Sequence, residues 1–221
     1  MTPNSHNEYS MLPGRAALIV IDISRDSLNP SEESGIPLEG APQAIENARR
    51  VVAAARENGV SVVWIQELHR PSGVDFGREL DGAEGVHCVE GAPGSRFLDD
   101  FAPRHDEFYV PKRRYSAFFA TDLEILLKGL KVETLILVGF LSDVCVHYTG
   151  ADAHQHDYRI RVVRDAVAGS SVASHDASLN ALEYLQSGAV VSTDDIVAAL
   201  HNIEYSMSAQ KSHNSLTGVS Q

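Results

Sequence analysis

Cys145 is the residue of this chain best placed to do covalent chemistry. It closes the segment Leu135–Cys145, in which an apolar run stops at Gly139 and, six residues later, the cysteine opens a helical pattern. A strand that hands over to a helix through a tight turn sets the residue at the handover beside the helix N-terminus. Unpaired N–H groups and the helix dipole favour negative charge there. A thiol in that place is expected to ionise more readily than a free cysteine, and the thiolate is the attacking species. Cys145 is therefore the candidate nucleophile.

Its partners follow from the elements that must position it. Apolar runs that read as strands alternate with amphipathic segments that read as helices. Strands are predicted at Ala17–Ile21, Val60–Ile65, Glu107–Val110, Thr134–Val138, Arg159–Val163 and Ala189–Val191. Helices are predicted at Ala41–Asn58, Thr121–Leu130, from Cys145, Ser174–Gln186 and Thr193–Leu200, with Thr121, Ser174 and Thr193 as N-caps. This alternation specifies an α/β fold, a mostly parallel sheet with helices on both faces in a three-layer arrangement. Sites in such sheets form at the C-terminal ends of the strands. Asp22 follows the first strand, Glu67 and His69 the second, Lys112 the third and Cys145 the fourth. Asp22, Lys112 and Cys145 make sense as a unit. The carboxylate accepts the thiol proton and later delivers it to a leaving amine, while the lysine stabilises the thiolate and holds Asp22.

The totals bound the reading. At 221 residues the chain suits one domain, expected over 14–205, between a loosely ordered start (1–13) and a polar tail (206–221). A formal charge of -12 argues against nucleic acid or an anionic membrane as partner. The only cysteines are Cys88 and Cys145, no signal segment precedes the first strand, and no apolar stretch approaches the roughly 18 residues of a membrane span. A cytoplasmic enzyme with free thiols is the expectation. The irregular, glycine-containing stretch from Gln66 to about His105 reads as a functional loop region.

Four segments together resemble the isochorismatase-like cysteine hydrolases. They are Ala17–Asp22, Lys112–Asp122, Gly139–Val146 and Tyr158–Ala166, in the family's order, and the likeness covers roughly residues 15–200. That family includes N-carbamoylsarcosine amidase, biuret hydrolase, ureidoacrylate amidohydrolase and nicotinamidase. The resemblance implies a catalytic triad of Asp22, Lys112 and Cys145, a cis peptide at Phe140–Leu141, and an oxyanion hole formed by the backbone N–H groups of Leu141 and Cys145. It also implies a homo-oligomer, a dimer or tetramer, and no organic cofactor.

Two departures from the family pattern bear on the substrate. In nicotinamidases an Asp-x-His and further histidines hold a divalent metal. Here Glu67 stands for the aspartate, His69 and His87 are present, and Asp75 lies about where another histidine would be. A metal-free site is expected, with a metal-assisted nicotinamidase as the alternative reading. At the first strand exit, Ser24 and Ser27 replace a glutamine and an aromatic residue. A more polar wall suits a small, hydrogen-bond-rich ureide. Arg25, Glu67, His69, Tyr115 and Phe118 are candidate substrate-binding residues. His147, His154 and His156 read as surface or interface groups.

The sequence thus predicts a cysteine amidohydrolase of a small linear amide or ureide, carbamoyl or biuret-like. A catalytically silent scaffold on the same fold and a redox thiol protein are the rival readings from other classes; Cys88 lies in no Cys-x-x-Cys arrangement that would serve the second.

Overall fold

In the computed structural model, which describes residues 10–28, 38 and 40–203, strand β1 (Ala16–Ile21) is buried on both faces along its whole length. An Ala-Ala-Leu-Ile-Val-Ile run leaves a central position in a parallel sheet as the place where every side chain is covered. The strand runs parallel to β2 (Ser61–Glu67) on one side and β4 (Thr134–Phe140) on the other. Beyond them lie β3 (Phe108–Lys112) at one edge and β5 (Arg159–Ala168) then β6 (Val190–Val191) at the other, giving the order β3-β2-β1-β4-β5-β6 with every pairing parallel.

The pleat sorts side chains between two layers. Leu18, Val20, Trp64, Ile136 and Val138 pack against α1 (Ala41–Glu57) and α5 (Thr193–His201). Ile19, Ile21, Ile65, Leu135 and Leu137 pack against α2 (Leu123–Gly129), α3 (Cys145–Gln155) and α4 (Val172–Leu185). Each fully buried leucine or isoleucine contributes about 1.5–3 kcal/mol. The predicted α/β sandwich is the fold observed.

Differences from the sequence expectation have local causes. β3 runs on through Pro111 because an edge strand tolerates the missing N–H. β5 continues past Val163 because Asp165 is held by the Thr193 N–H (2.8 Å) and hydroxyl (2.9 Å), while Asn47 donates to its carbonyl (2.7 Å). The N-caps of α4 and α5 are Ser171 and Ser192, not Ser174 and Thr193; each hydroxyl accepts the N–H three residues on, that of Ser174 or Asp195. Residues 11–13, expected to be loose, are tied down. Leu12 is buried, Thr134 donates to the Pro13 carbonyl (2.6 Å) and Arg161 to the Met11 carbonyl (2.7 Å). The 206–221 tail lies outside the described residues. No helix among the described residues is long and apolar enough to cross a membrane.

Gly139 is the one strand glycine whose lack of a side chain is obligatory. Its φ is +115°, and a Cβ there would sit 1.9 Å from the Ile21 carbonyl oxygen, a backbone atom that cannot step aside. This close approach draws the end of β4 against the end of β1, where the candidate residues meet. Gly139→Ala is expected to lose about 3 kcal/mol or more of unfolding free energy, read from urea denaturation. A midpoint within 0.5 M of the wild type, a bound taken from typical slopes of about 1–3 kcal/mol/M, would remove the argument.

Candidate active site

The strand order reverses direction between β1 and β4, so the crevice at their C-terminal ends is the place where a parallel sheet leaves a pocket. Asp22 leaves β1 with φ +53°, a left-handed conformation that aspartate tolerates better than most side chains, and its N–H bonds the Ile65 carbonyl at 3.0 Å. Glu67 and Lys112 are the paired last residues of β2 and β3. Cys145 is the first residue of α3, reached from β4 through Leu141–Val144. The Phe140–Leu141 peptide bond is cis.

Four side chains converge. Lys112, whose side chain is fully buried, places Nζ 2.9 Å from Asp22 Oδ2 and 3.3 Å from Cys145 Sγ, and donates a short bond to Glu67 Oε2. The Cys145 thiol donates to the same Glu67 oxygen at 3.4 Å. The Glu67 N–H donates to Asp22 Oδ1 at 2.6 Å. Sequence reasoning placed Glu67 only as a substrate or metal residue; the structure sets it against both lysine and thiol. Its extra methylene over aspartate gives the reach.

The electrostatics correct one expectation. The Cys145 thiol is held well above the usual range, first by burial and then by the charges of Asp22 and Glu67, against the pull of Lys112. The helix N-terminus does not overcome a desolvated site with two carboxylates. Burial likewise raises the Asp22 carboxyl. Burial pushes Glu67 up too, but Lys112 and bonds from His69 and His87 outweigh it and hold Glu67 well below the carboxylate range. Burial would lower Lys112; the charges of Asp22 and Glu67 raise it instead, so it stays an ammonium. The thiol is therefore harder to ionise than a free cysteine, Glu67 gives up its proton more readily than a free glutamate, and Asp22 is the more basic carboxylate.

A network that no local sequence signal revealed fixes the loop that carries Cys145. Ser142 N–H donates to the Ala168 carbonyl (2.8 Å), Ser178 to the Ser142 carbonyl (2.5 Å), and the Ser170 N–H to Asp143 (2.9 Å). Ser142 also shares a 3.0 Å bond with His175. The Leu141 and Cys145 N–H groups find no backbone or side-chain acceptor among the described residues.

Beside the site, Glu67, His69, Glu79 and His87 bring one ligand atom each within 4.8 Å of one another, all four buried. His69 Nε2 lies 3.0 Å from both Glu67 Oε1 and Glu79 Oε2. Burial opposes its protonation, but the bond to Glu67 and the charges of Glu67 and Glu79 push His69 up to about 9. Among the described residues neither Glu79 oxygen has a hydrogen-bond partner. Asp75, expected in this set, instead accepts from the Arg70 N–H (2.9 Å) and guanidinium (2.7 Å). Glu79 takes its place, from a 3-10 turn inside the long loop where no periodicity could point to it.

The pocket in front of Cys145 is walled by Ser24, Ser27, Tyr115, Phe140, Leu141 and Val144 among others, and includes Cys88. Ser24 and Ser27 stand in this wall, but the Ser27 hydroxyl is spent on the chain itself, accepting from the Ser24 N–H (3.0 Å) and donating to the Asp22 carbonyl (3.2 Å), so the wall is less polar than expected. Two candidates turn elsewhere. Arg25 points out to pair with exposed Asp99, because the 3-10 turn at Arg25–Ser27 directs it away from the crevice. Phe118 packs on His156 and Tyr158, with ring centroids 5.0 and 6.0 Å away. The three later histidines bond within the chain: His147 to Ser178, His154 to Gln186 and His156 to Glu124.

A parallel α/β sheet with a buried Cys–Lys–Asp–Glu cluster at its switch point describes a cysteine-hydrolase architecture. The Isochorismatase domain family model matches residues 16–195, and the chain belongs to that family of hydrolases. Among its relatives, maleamate amidohydrolase of Pseudomonas putida is 32% identical over 198 residues, 86% of this chain and 88% of that protein. The N-carbamoylsarcosine amidase structure from Thermoplasma acidophilum superposes with a TM-score of 0.69 at 28% identity, covering 82% of this chain and 98% of the other. The pyrazinamidase of Pyrococcus horikoshii in complex with zinc gives 0.70 at 26% identity, covering 81% and 99%.

Proposed function

We propose that the protein is a cysteine amidohydrolase that cleaves the C–N bond of a small linear amide or ureide. The observation that carries this reading is Lys112 Nζ standing 2.9 Å from Asp22 and 3.3 Å from Cys145, just behind the lining of one pocket. The thiol stays protonated until substrate arrives. Asp22, the more basic carboxylate, takes its proton as sulfur attacks the carbonyl carbon, and Lys112 stabilises the thiolate. The carbonyl oxygen is received by the Leu141 and Cys145 N–H groups. Asp22 then gives the proton to the departing nitrogen, the C–N bond breaks, and the acyl or carbamoyl group remains on sulfur. Water, deprotonated by Asp22, attacks that thioester and releases the acid and the thiol. Glu67, ionised and short-bonded to Lys112, orients the lysine rather than carrying the proton.

A second reading rests on the Glu67, His69, Glu79 and His87 cluster. Two imidazoles, two carboxylates and the unpartnered Glu79 oxygens fit a divalent transition metal. A bound metal would supply a Lewis acid that holds a heteroaromatic nitrogen or a carbonyl of the substrate.

One experiment tests both. Ammonia or amine release is measured on biuret, N-carbamoylsarcosine, ureidoacrylate, maleamate and nicotinamide, before and after chelator dialysis, with metal content determined in parallel. Chelator-insensitive turnover of a linear ureide or amide is expected. Stoichiometric zinc or manganese that leaves together with nicotinamide turnover moves the enzyme to the second reading. No release, and no acyl adduct on the Cys145 peptide by mass spectrometry, sinks the first.

A further inference from the structure

The pocket around Cys145 is unusually poor in positive charge. Asp22, Asp26, Glu67 and Glu84 line it, and His87 is the single basic lining residue among those described. Lys112 sits behind them, fully buried, with its ammonium shared between Asp22, Glu67 and the thiol. It has nothing left for a substrate carboxylate. The nearby arginines are committed too. Arg25 faces Asp99, Arg113 donates to the Leu68 carbonyl, and Arg114 donates to the Asp75 carbonyl. The stretch 29–39 contains Glu32, Glu33 and Glu39 and neither Lys nor Arg, so it supplies no cation wherever it lies.

Asp26 is held beside the pocket by the backbone. Its N–H donates to the Gly94 carbonyl at 3.1 Å, and a Cβ on Gly94 would fall 2.0 Å from its carboxylate. Glu84, also in the lining, stands 3.6 Å from His87.

We infer that this pocket selects substrates that are uncharged or cationic beyond the scissile carbonyl and rejects those bearing a carboxylate there. The inference rests on the reading of Cys145 as nucleophile and narrows its substrate class. Maleamate and N-carbamoylsarcosine, the substrates named for two relatives, both carry a carboxylate. A neutral ureide such as biuret, or a neutral amide, does not.

The test uses two alkylating reagents that differ by one charge, iodoacetamide and iodoacetate, on the native full-length protein at one pH. Adducts on Cys145 and Cys88 are separated by peptide mass, and each rate is normalised to glutathione. The thiolate fraction cancels in the ratio. At Cys145 the amide-to-acetate ratio is expected to exceed that of glutathione by about tenfold or more and to shrink with added salt. Glu84→Gln and Asp26→Asn, singly and together, should bring it toward the free-thiol value. A ratio at or below that of glutathione, or one indifferent to salt and to both substitutions, overturns the inference. In a parallel arm, turnover of maleamate is compared with that of its methyl ester. Turnover lost in Cys145→Ala but faster on maleamate overturns the charge selectivity and leaves the amidohydrolase reading standing. A Cys145 inert to both reagents, together with hydrolysis that survives Cys145→Ala, overturns both.

Discussion

Cys145→Ala is expected to lower amide hydrolysis by at least about a thousandfold while leaving the fold unchanged. The size follows from covalent catalysis. Without sulfur there is no thioester, and water must attack an unactivated amide using only the binding and oxyanion-stabilising parts of the site. The fold should survive because the side chain is small and the loop carrying it is fixed from outside. Ala168, Ser170 and Ser178 hold Ser142 and Asp143 without using the thiol. The deletion also leaves Lys112 its two carboxylate partners. Circular dichroism and the urea midpoint should match the wild type, with the stability change within about 1 kcal/mol. Residual turnover above one thousandth would reject Cys145 as nucleophile.

Lys112→Met is the second large effect, on activity and stability together. The wild-type ammonium, with no exposed side-chain surface, compensates Asp22 and Glu67 at once. Removing one member of a buried ionic cluster leaves uncompensated charge and costs about 3–5 kcal/mol. Turnover should fall by two or more orders of magnitude, because the thiolate loses its counter-charge.

The pH dependence identifies the cause. In the wild type, Glu67 has a folded pKa well below its ordinary value, so its contribution is present above that value and is lost as pH falls through the folded pKa. In the variant, burial and mutual repulsion set both carboxyls above their unfolded values. The native state then binds the extra protons, and stability falls as pH rises beyond about 4. The deficit of Lys112→Met should therefore be largest near pH 8 and shrink toward acid. Urea titrations at pH 5 and pH 8 read this directly. A deficit that grows toward acid, or a variant as stable as the wild type at pH 8, would remove the lysine from the centre of the cluster.

The strand exits were legible for a simple reason. A fully apolar run such as Ala16–Ile21 is stable only in the middle of a parallel sheet, and parallel strands present all their C-terminal ends at one side. Asp22, Glu67, Lys112 and Cys145 are each adjacent in sequence to such an end. Their meeting was thus implied by short-range pattern plus one rule of chain geometry. Gly139 was visible as a break in the apolar run, although the Ile21 carbonyl it makes room for was not.

The layered α/β fold and the set of strand-end residues that face one another could be read locally, because apolar period and strand exit are encoded within a few residues of each position. How those residues share charge depends on the assembled sheet. Glu67 reaches across 45 positions to Lys112 and 78 to Cys145, Glu79 replaces Asp75 beside His69, and Arg25 and Phe118 turn away from the pocket. The thiol is made harder to ionise where the helix N-terminus alone predicted the opposite. Side-chain direction in a loop and the ionisation of a buried group both depend on which distant atoms lie within a few ångströms and how much water they exclude. That information appears only when the sheet has assembled.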